Sequence, residues 1–159
     1  MNAAISARST LWLCASTLLA PLITTAGEAP ADAIMLRPDQ LEWIDNPRVP
    51  GLGLARILGD EKESGTYTYR VRFPAGRVVQ AHTHPDDRTY TVISGTWYVG
   101  WGDRYDPAKL SALPAGSLYT EPATVPHFVG TPDEEAIVQV TGTGPTRADF
   151  VDPAHAPKQ

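Results

Sequence analysis

The chain is almost without cysteine. Cys14 is the only one among 159 residues, so no intrachain disulfide can form and no cysteine frame for a metal exists. Basic charge is also scarce: 13 Lys and Arg stand against 18 Asp and Glu, a net −5. No cluster of basic residues provides the footprint that nucleic-acid binding requires. The longest apolar run, Leu11 to Thr25, is about 15 residues, short of the roughly 18 of a membrane span. A Walker loop, a His-Glu-x-x-His pair and a Gly-x-Ser-x-Gly elbow are all missing, which removes support for phosphate-loop, zincin and serine-nucleophile chemistry. Gly51-Leu52-Gly53 opens like a dinucleotide fingerprint. However, Arg56 occupies the place of its third glycine, and no strand–turn–helix unit surrounds it.

The apolar run reads as a targeting segment. It follows Arg8, is interrupted by Pro21 and ends in the small residues Thr24-Thr25-Ala26. That is the layout of a secretory signal peptide covering Met1 to Ala26. Leu13 before Cys14 is too large for a lipoprotein cleavage box, which argues against a lipid anchor. Loss of the segment would remove the cysteine and Arg8, leaving a net charge of about −6. The expectation is an exported protein, periplasmic or secreted, with no membrane attachment after cleavage and no nucleic-acid partner. Residues 27–33 read as a flexible leader, 34–152 as one domain and 153–159 as a flexible tail.

Within that domain, 13 Gly and 15 Pro punctuate short stretches with period-two alternation, the pattern of an all-β domain. Thr66 to Phe73 is the clearest, with Tyr67, Tyr69, Val71 and Phe73 on one face. Further strands are expected at Leu41–Ile44, Leu54–Leu58, Val78–His84, Arg88–Ile93, Thr96–Trp101, Ser117–Thr120, His127–Gly130, Ala136–Thr141 and Arg147–Val151. A single short helical turn is expected at Pro107 to Leu110, capped by Asp106 with proline at its first position. Asp133-Glu134-Glu135 reads as a solvated turn. Trp97 and Trp101 share a strand face, and core packing is their default assignment. About ten short strands imply a sandwich, jelly roll or barrel.

Chemistry concentrates in the histidines. His82 and His84, two apart on an expected strand, leave the same face from backbones about 6.6 Å apart. Imidazoles so placed can meet one ion at roughly 2.0–2.2 Å per bond. His127, 43 positions after His84, begins another strand and can supply a third nitrogen. His155 lies in the tail and is set aside. A lone His-x-His is more often two unrelated polar residues, and the frame around this one changes the balance. Gly76, five residues, His82-x-His84, three residues, Arg88, six residues, Gly95 is followed by Gly116, five residues, Pro122 and, five on, His127.

This arrangement resembles the two motifs of the cupin superfamily. The resemblance implies a jelly-roll β-barrel in which His82, His84 and His127 bind a divalent transition metal. Iron is favoured, and zinc, nickel, manganese and copper are alternatives. Three positions depart from the pattern. Thr124 replaces the second-motif glycine and Thr131 its terminal asparagine, two changes that look harmless. Arg88 stands where the family has its ligand glutamate, and arginine can neither lose its proton nor coordinate. Two arrangements follow: Arg88 turns to pair with Asp86, Asp87 or another acid, or it faces inward to clamp an anionic ligand. In the first, three histidines remain with open coordination positions. If residue 88 faces the ion, exchanging Arg88 for Glu is expected to restore the usual ligand set and tighten metal binding.

Three-histidine cupins resemble non-haem iron dioxygenases, and the implied activity is an oxygenase acting on a small oxygenated or acidic molecule. A redox-neutral isomerase, lyase or decarboxylase and a non-catalytic ligand-binding barrel are the alternatives. Arg88 and Tyr90 are the candidate catalytic residues, with Tyr90 and Val92 on the face of Arg88. Tyr119, Ser117 and Glu121 share another strand face, and Gln139, a polar position in an apolar strand, is read as a pocket residue, with an outward or edge position as the alternative. Pairing through strand edges, common in cupins, implies a homodimer.

Overall fold

A computed structural model describes Gly27 and residues 29–157. The expected signal peptide, Met1 to Ala26, lies outside the described residues. The described residues up to Ile34 belong to a unit separate from the rest, and within them Ala33 N donates to Pro30 O at 2.9 Å.

From Met35 onward the chain forms eleven strands in two antiparallel sheets. These are β1 (Ile44–Asp45), β2 (Gly53–Leu58), β3 (Gly65–Phe73), β4 (Arg77–Thr83), β5 (Arg88–Ser94) and β6 (Thr96–Trp101). They continue as β7 (Ser111–Pro114), β8 (Leu118–Glu121), β9 (His127–Thr131), β10 (Ala136–Gly144) and β11 (Asp149–Phe150). One sheet has the order β1-β2-β3-β10-β5-β8 and the other β11-β4-β9-β6-β7. Among the described residues, helical geometry is confined to three 3₁₀ turns. One is the expected turn at Pro107–Lys109, with Asp106 accepting from the Ala108 N–H. No helix among the described residues is long and apolar enough to cross a membrane.

Alternation explains why this folds as a jelly roll. Every second residue of β3, β5 and β10 points inward, so Tyr67, Tyr69, Tyr90, Val92, Ala136, Val138 and Val140 face Trp97, Val99 and Val129 of the second sheet. That is the core expected where two sheets bury one face each. The longest ladder joins β3 and β10 from Gly65↔Gly144 to Phe73↔Ala136. Gly95 turns β5 into β6 at φ +70°, where a Cβ would collide with the Glu135 carbonyl, so glycine is required twice over.

The expected strand at Leu41–Ile44 forms only from Ile44, because a 3₁₀ turn at Pro38–Gln40 precedes it. β7 has no counterpart among the expected strands. Its Ser-Ala-Leu-Pro lacks alternation and ends in proline, both tolerated on a sheet edge. Trp101 departs from core packing: Trp97 is 2% exposed, whereas Trp101 is 42% exposed. The reason is its place at the end of β6, opposite His127, where the core runs out. Gln139 is no pocket residue either. It lies on the outer face of β10 and accepts from Arg70 Nε at 3.1 Å.

Candidate metal centre

The three histidines meet at one end of the core. A register irregularity between Val79 and His82 lets β4 bring His82 opposite His127 of β9, and His84 follows just beyond the end of β4. Ring centroids are 4.9 Å apart for His82–His84, 4.4 Å for His82–His127 and 5.2 Å for His84–His127. The loop before His127 is tied to the first motif. Thr124 N donates to His84 O at 2.8 Å, and Ala123 N donates to Asp87 Oδ1 at 2.7 Å. Thr124 holds its place at φ +64°, a conformation in which a β-branched residue is strained. The exchange of the motif glycine for threonine is therefore less innocuous than it looks in sequence. The other exchange is accommodated, since buried Thr131 donates to Pro74 O at 2.7 Å.

Hydrogen bonding sets the tautomer of each ring. Nδ1 of His82 lies 2.7 Å from Gln80 O, that of His84 2.7 Å from Arg147 O, and that of His127 3.1 Å from Val125 O. A carbonyl can only accept, so each Nδ1 carries the proton and each Nε2 presents a lone pair. One nitrogen from each ring falls within 4.8 Å of the others. Burial pushes His84 down to about 3 and His127 down to about 4, and it lowers His82 as well. The nearby Arg88 charge acts in the same direction on all three. The rings are thus neutral at physiological pH, as metal ligands must be. His127 Nε2 is buried with no hydrogen-bond partner. Three converging neutral imidazoles with fixed outer hydrogen bonds fit a transition-metal ion such as Zn, Cu, Fe or Ni.

Arg88, 5% exposed, takes the first of its two expected arrangements. Its Nε donates to Asp86 Oδ1 at 3.3 Å and its Nη2 to Thr146 Oγ1 at 2.6 Å. Nη1 donates to the hydroxyls of Tyr90 at 3.3 Å and Tyr69 at 3.5 Å. Thr146 in turn donates to Asp86 Oδ1, and Tyr67 donates to Asp86 Oδ2 at 2.5 Å. Burial alone would raise Asp86. The hydrogen bonds from Thr146 and Tyr67, together with the Arg88 charge, hold it below its ordinary value. Four of the five N–H groups of Arg88 are engaged, which leaves little of the fork for a bidentate carboxylate. Tyr90 is 7% exposed and packs against Tyr119 at a centroid distance of 4.8 Å.

One acid goes unassigned in the sequence reading. Glu121, 1% exposed, ends β8 directly opposite Arg88 of β5. Its Oε1 lies 3.2 Å from His127 Nε2, and its Oε2 lies 3.8 Å from His84 Nε2. Tyr119 Oη donates to Oε1 at 3.0 Å and accepts from Trp97 Nε1 at 2.8 Å. Burial pushes the carboxyl up to about 7. Its one signal in the sequence is the shared face with Ser117 and Tyr119. The cross-strand register that aims it at the histidines is not visible there.

A cavity of about 200 Å³ opens on this centre. His82, His84, Arg88, Tyr90 and Glu121 line its polar end, and Val71, Phe73, Val79, Trp97 and Val138 line the remainder. Depressions of about 550 and 460 Å³ lie on the outer surface around Gln80 and His155. They are larger, but no ligating side chains converge there.

Residues 31–147 match the ChrR cupin-like domain family. The chain belongs to that family. Among solved structures, this cupin is similar to the polyketide cyclase RemF from Streptomyces resistomycificus. That match has 10% identity and a TM-score of 0.61 over 74% of this chain and 84% of that one. It is also similar to a cupin-like protein from Thermotoga maritima, at 25% identity and a TM-score of 0.51 over 65% and 80%. The DMSP lyase DddQ from Ruegeria pomeroyi matches at 18% identity and a TM-score of 0.51, over 65% of this chain and 56% of that one. No curated protein sequence is significantly similar. These likenesses establish the jelly-roll fold, and the histidine cluster gives the cupin a place to hold a metal ion.

Proposed function

We propose that this cupin is an exported metal-dependent enzyme acting on a small oxygenated organic molecule, with iron as its metal and O₂-dependent cleavage as its reaction. The observation that carries the reading is the set of three proton-free Nε2 atoms facing one another beside a cavity with an apolar far end. A divalent ion held by His82, His84 and His127 would supply Lewis acidity and, as iron, redox chemistry with O₂. The cavity size restricts the substrate to a small molecule, since drug-sized ligands need about 300 Å³ or more. Because Arg88 is already hydrogen-bonded to Asp86, Thr146 and two tyrosines, a neutral carbonyl or hydroxyl compound suits the site better than a carboxylate. In this reading Arg88 holds the hydroxyls of Tyr69 and Tyr90 at the polar end, where they orient substrate oxygens. The valines, Phe73 and Trp97 exclude water from the other end.

The test is oxygen uptake by protein loaded anaerobically with Fe(II), on a panel of small diketones and hydroxy-aromatic compounds. Stoichiometric O₂ consumption with product formation is expected. Full iron occupancy without uptake across the panel would overturn the oxygenase reading. Turnover that persists without O₂ and with zinc in place of iron would replace it with a lyase or isomerase. That second reading has an observation of its own, since a buried carboxyl at Glu121 is suited to moving protons.

A further inference from the structure

We propose that Glu121 is the carboxylate arm of this metal centre, delivered from β8 in place of the acid that position 88 lacks. The inference rests on the metal-binding reading and adds a fourth ligand to it. Three observations carry it. Glu121 is among the most buried polar residues of the chain at 1% exposure, and its Oε2 has no hydrogen-bond partner. His127 Nε2 is likewise buried and unpartnered, although it lies 3.2 Å from Glu121 Oε1. With Nδ1 protonated, that Nε2 can only accept. An ionised carboxylate can only accept too, so the two atoms repel unless a proton or a metal ion lies between them. Two atoms each about 2.0–2.2 Å from one ion, at 90–110° to each other, stand roughly 2.8–3.6 Å apart. The separation found is that of adjacent ligands.

The register explains how the exchange arose without disturbing the barrel. Arg88 and Glu121 are Cα partners across β5 and β8, so both side chains enter the same end of the core from neighbouring strands. Moving the acid across one ladder position keeps it within reach of the same ion, and the vacated position accepts an arginine neutralised by Asp86. With three neutral imidazoles and one carboxylate, a divalent ion again carries a net charge near +1. The Trp97–Tyr119–Glu121 chain supplies the outer hydrogen bonds that hold a ligating carboxylate in place.

The experiment uses the full chain and Co(II) alone, read by visible absorption and by competition with a chromogenic chelator. Glu121→Gln keeps the size of the side chain and an oxygen to accept from Tyr119, while it removes the charge and puts an N–H donor in place of one ligating oxygen. It should weaken Co(II) binding about 100-fold or more and shift the d–d bands, because a ligand atom changes. An outer-shell partner would cost about 10–100-fold and leave the bands in place. Unchanged bands in Glu121→Gln, alongside loss of Co(II) in His127→Ala, would overturn the assignment of Glu121 while the three-histidine centre stands. Failure of the wild-type protein to bind Co(II) would remove the centre itself. Glu121→Asp, with its shorter arm, is read in the same way should the Gln variant misfold: bands unlike those of wild type support the assignment, and identical bands refute it.

Discussion

Two clusters of buried polar groups share the polar end of one cavity, and they differ in how far they are satisfied. Around Arg88, donors and acceptors match: Asp86, Thr146, Tyr67, Tyr69 and Tyr90 enclose the guanidinium. Room is left for them by Gly142, where a Cβ would collide with both Asp86 and Tyr67. Around the histidines the outer nitrogens are bonded, but the inner ones face each other and a carboxyl group, and His127 Nε2 and Glu121 Oε2 have no hydrogen-bond partner. A buried acceptor without a donor costs stability. One cluster is therefore built to hold the barrel closed, the other to wait for a ligand.

The largest expected effect comes from breaking the satisfied cluster. Asp86→Ala leaves a guanidinium buried without its counter-ion and should cost about 3–5 kcal/mol in urea unfolding. A loss below about 1 kcal/mol would erase the contrast. By the same logic, Arg88→Glu does not simply restore a ligand, since it sets a third acid beside Asp86 and Glu121. It should unfold at lower denaturant than wild type and should not bind metal more tightly. Stripping the ion acts on the other cluster. At a free metal concentration 100 times Kd, loaded protein should exceed stripped protein by about 2.7 kcal/mol. Asp86→Ala should lower both forms alike.

Acid sharpens the distinction further. In stripped protein His84 and His127 take up protons only near pH 3–4, whereas in the unfolded chain they do so near 6.5. The unfolded state therefore binds more protons in between, and stability should fall as pH drops below about 6.5. Glu121 opposes this, because its folded value of about 7 exceeds the ordinary 4.5. Removing that opposition in Glu121→Gln should steepen the decline by up to about 1.4 kcal/mol per pH unit, as measured by denaturation at several pH values. The smallest effect is expected at Thr124. Relief of its left-handed backbone by Thr124→Gly should raise stability by about 1 kcal/mol, the strain released less the entropy cost of glycine.

Much of this was legible before any coordinates. Alternation located the inward faces of β3, β5 and β10, and the two histidine-bearing motifs brought His82, His84 and His127 together. These are local signals, carried by residues whose spacing alone determines which way they point. What escaped is set by pairing between distant strands. Glu121 faces the histidines because β8 lies antiparallel to β5 in one particular register. Thr146 reaches Arg88 from 58 positions away. Trp101 has the right parity for the core, but it stands where the strand leaves the core.

The segment running into the final short strand completes the site. Arg147 O orients His84, Thr146 anchors Arg88, and Phe150 stacks on His82 at 5.4 Å. Every histidine of the cluster precedes these residues in the chain, yet His84 takes its orienting hydrogen bond and His82 a stacking partner from them. A nascent or clipped polypeptide ending before position 146 would own all three imidazoles and still lack the brackets that aim them. A complete site thus depends on residues 146–150 as well as on the three histidines.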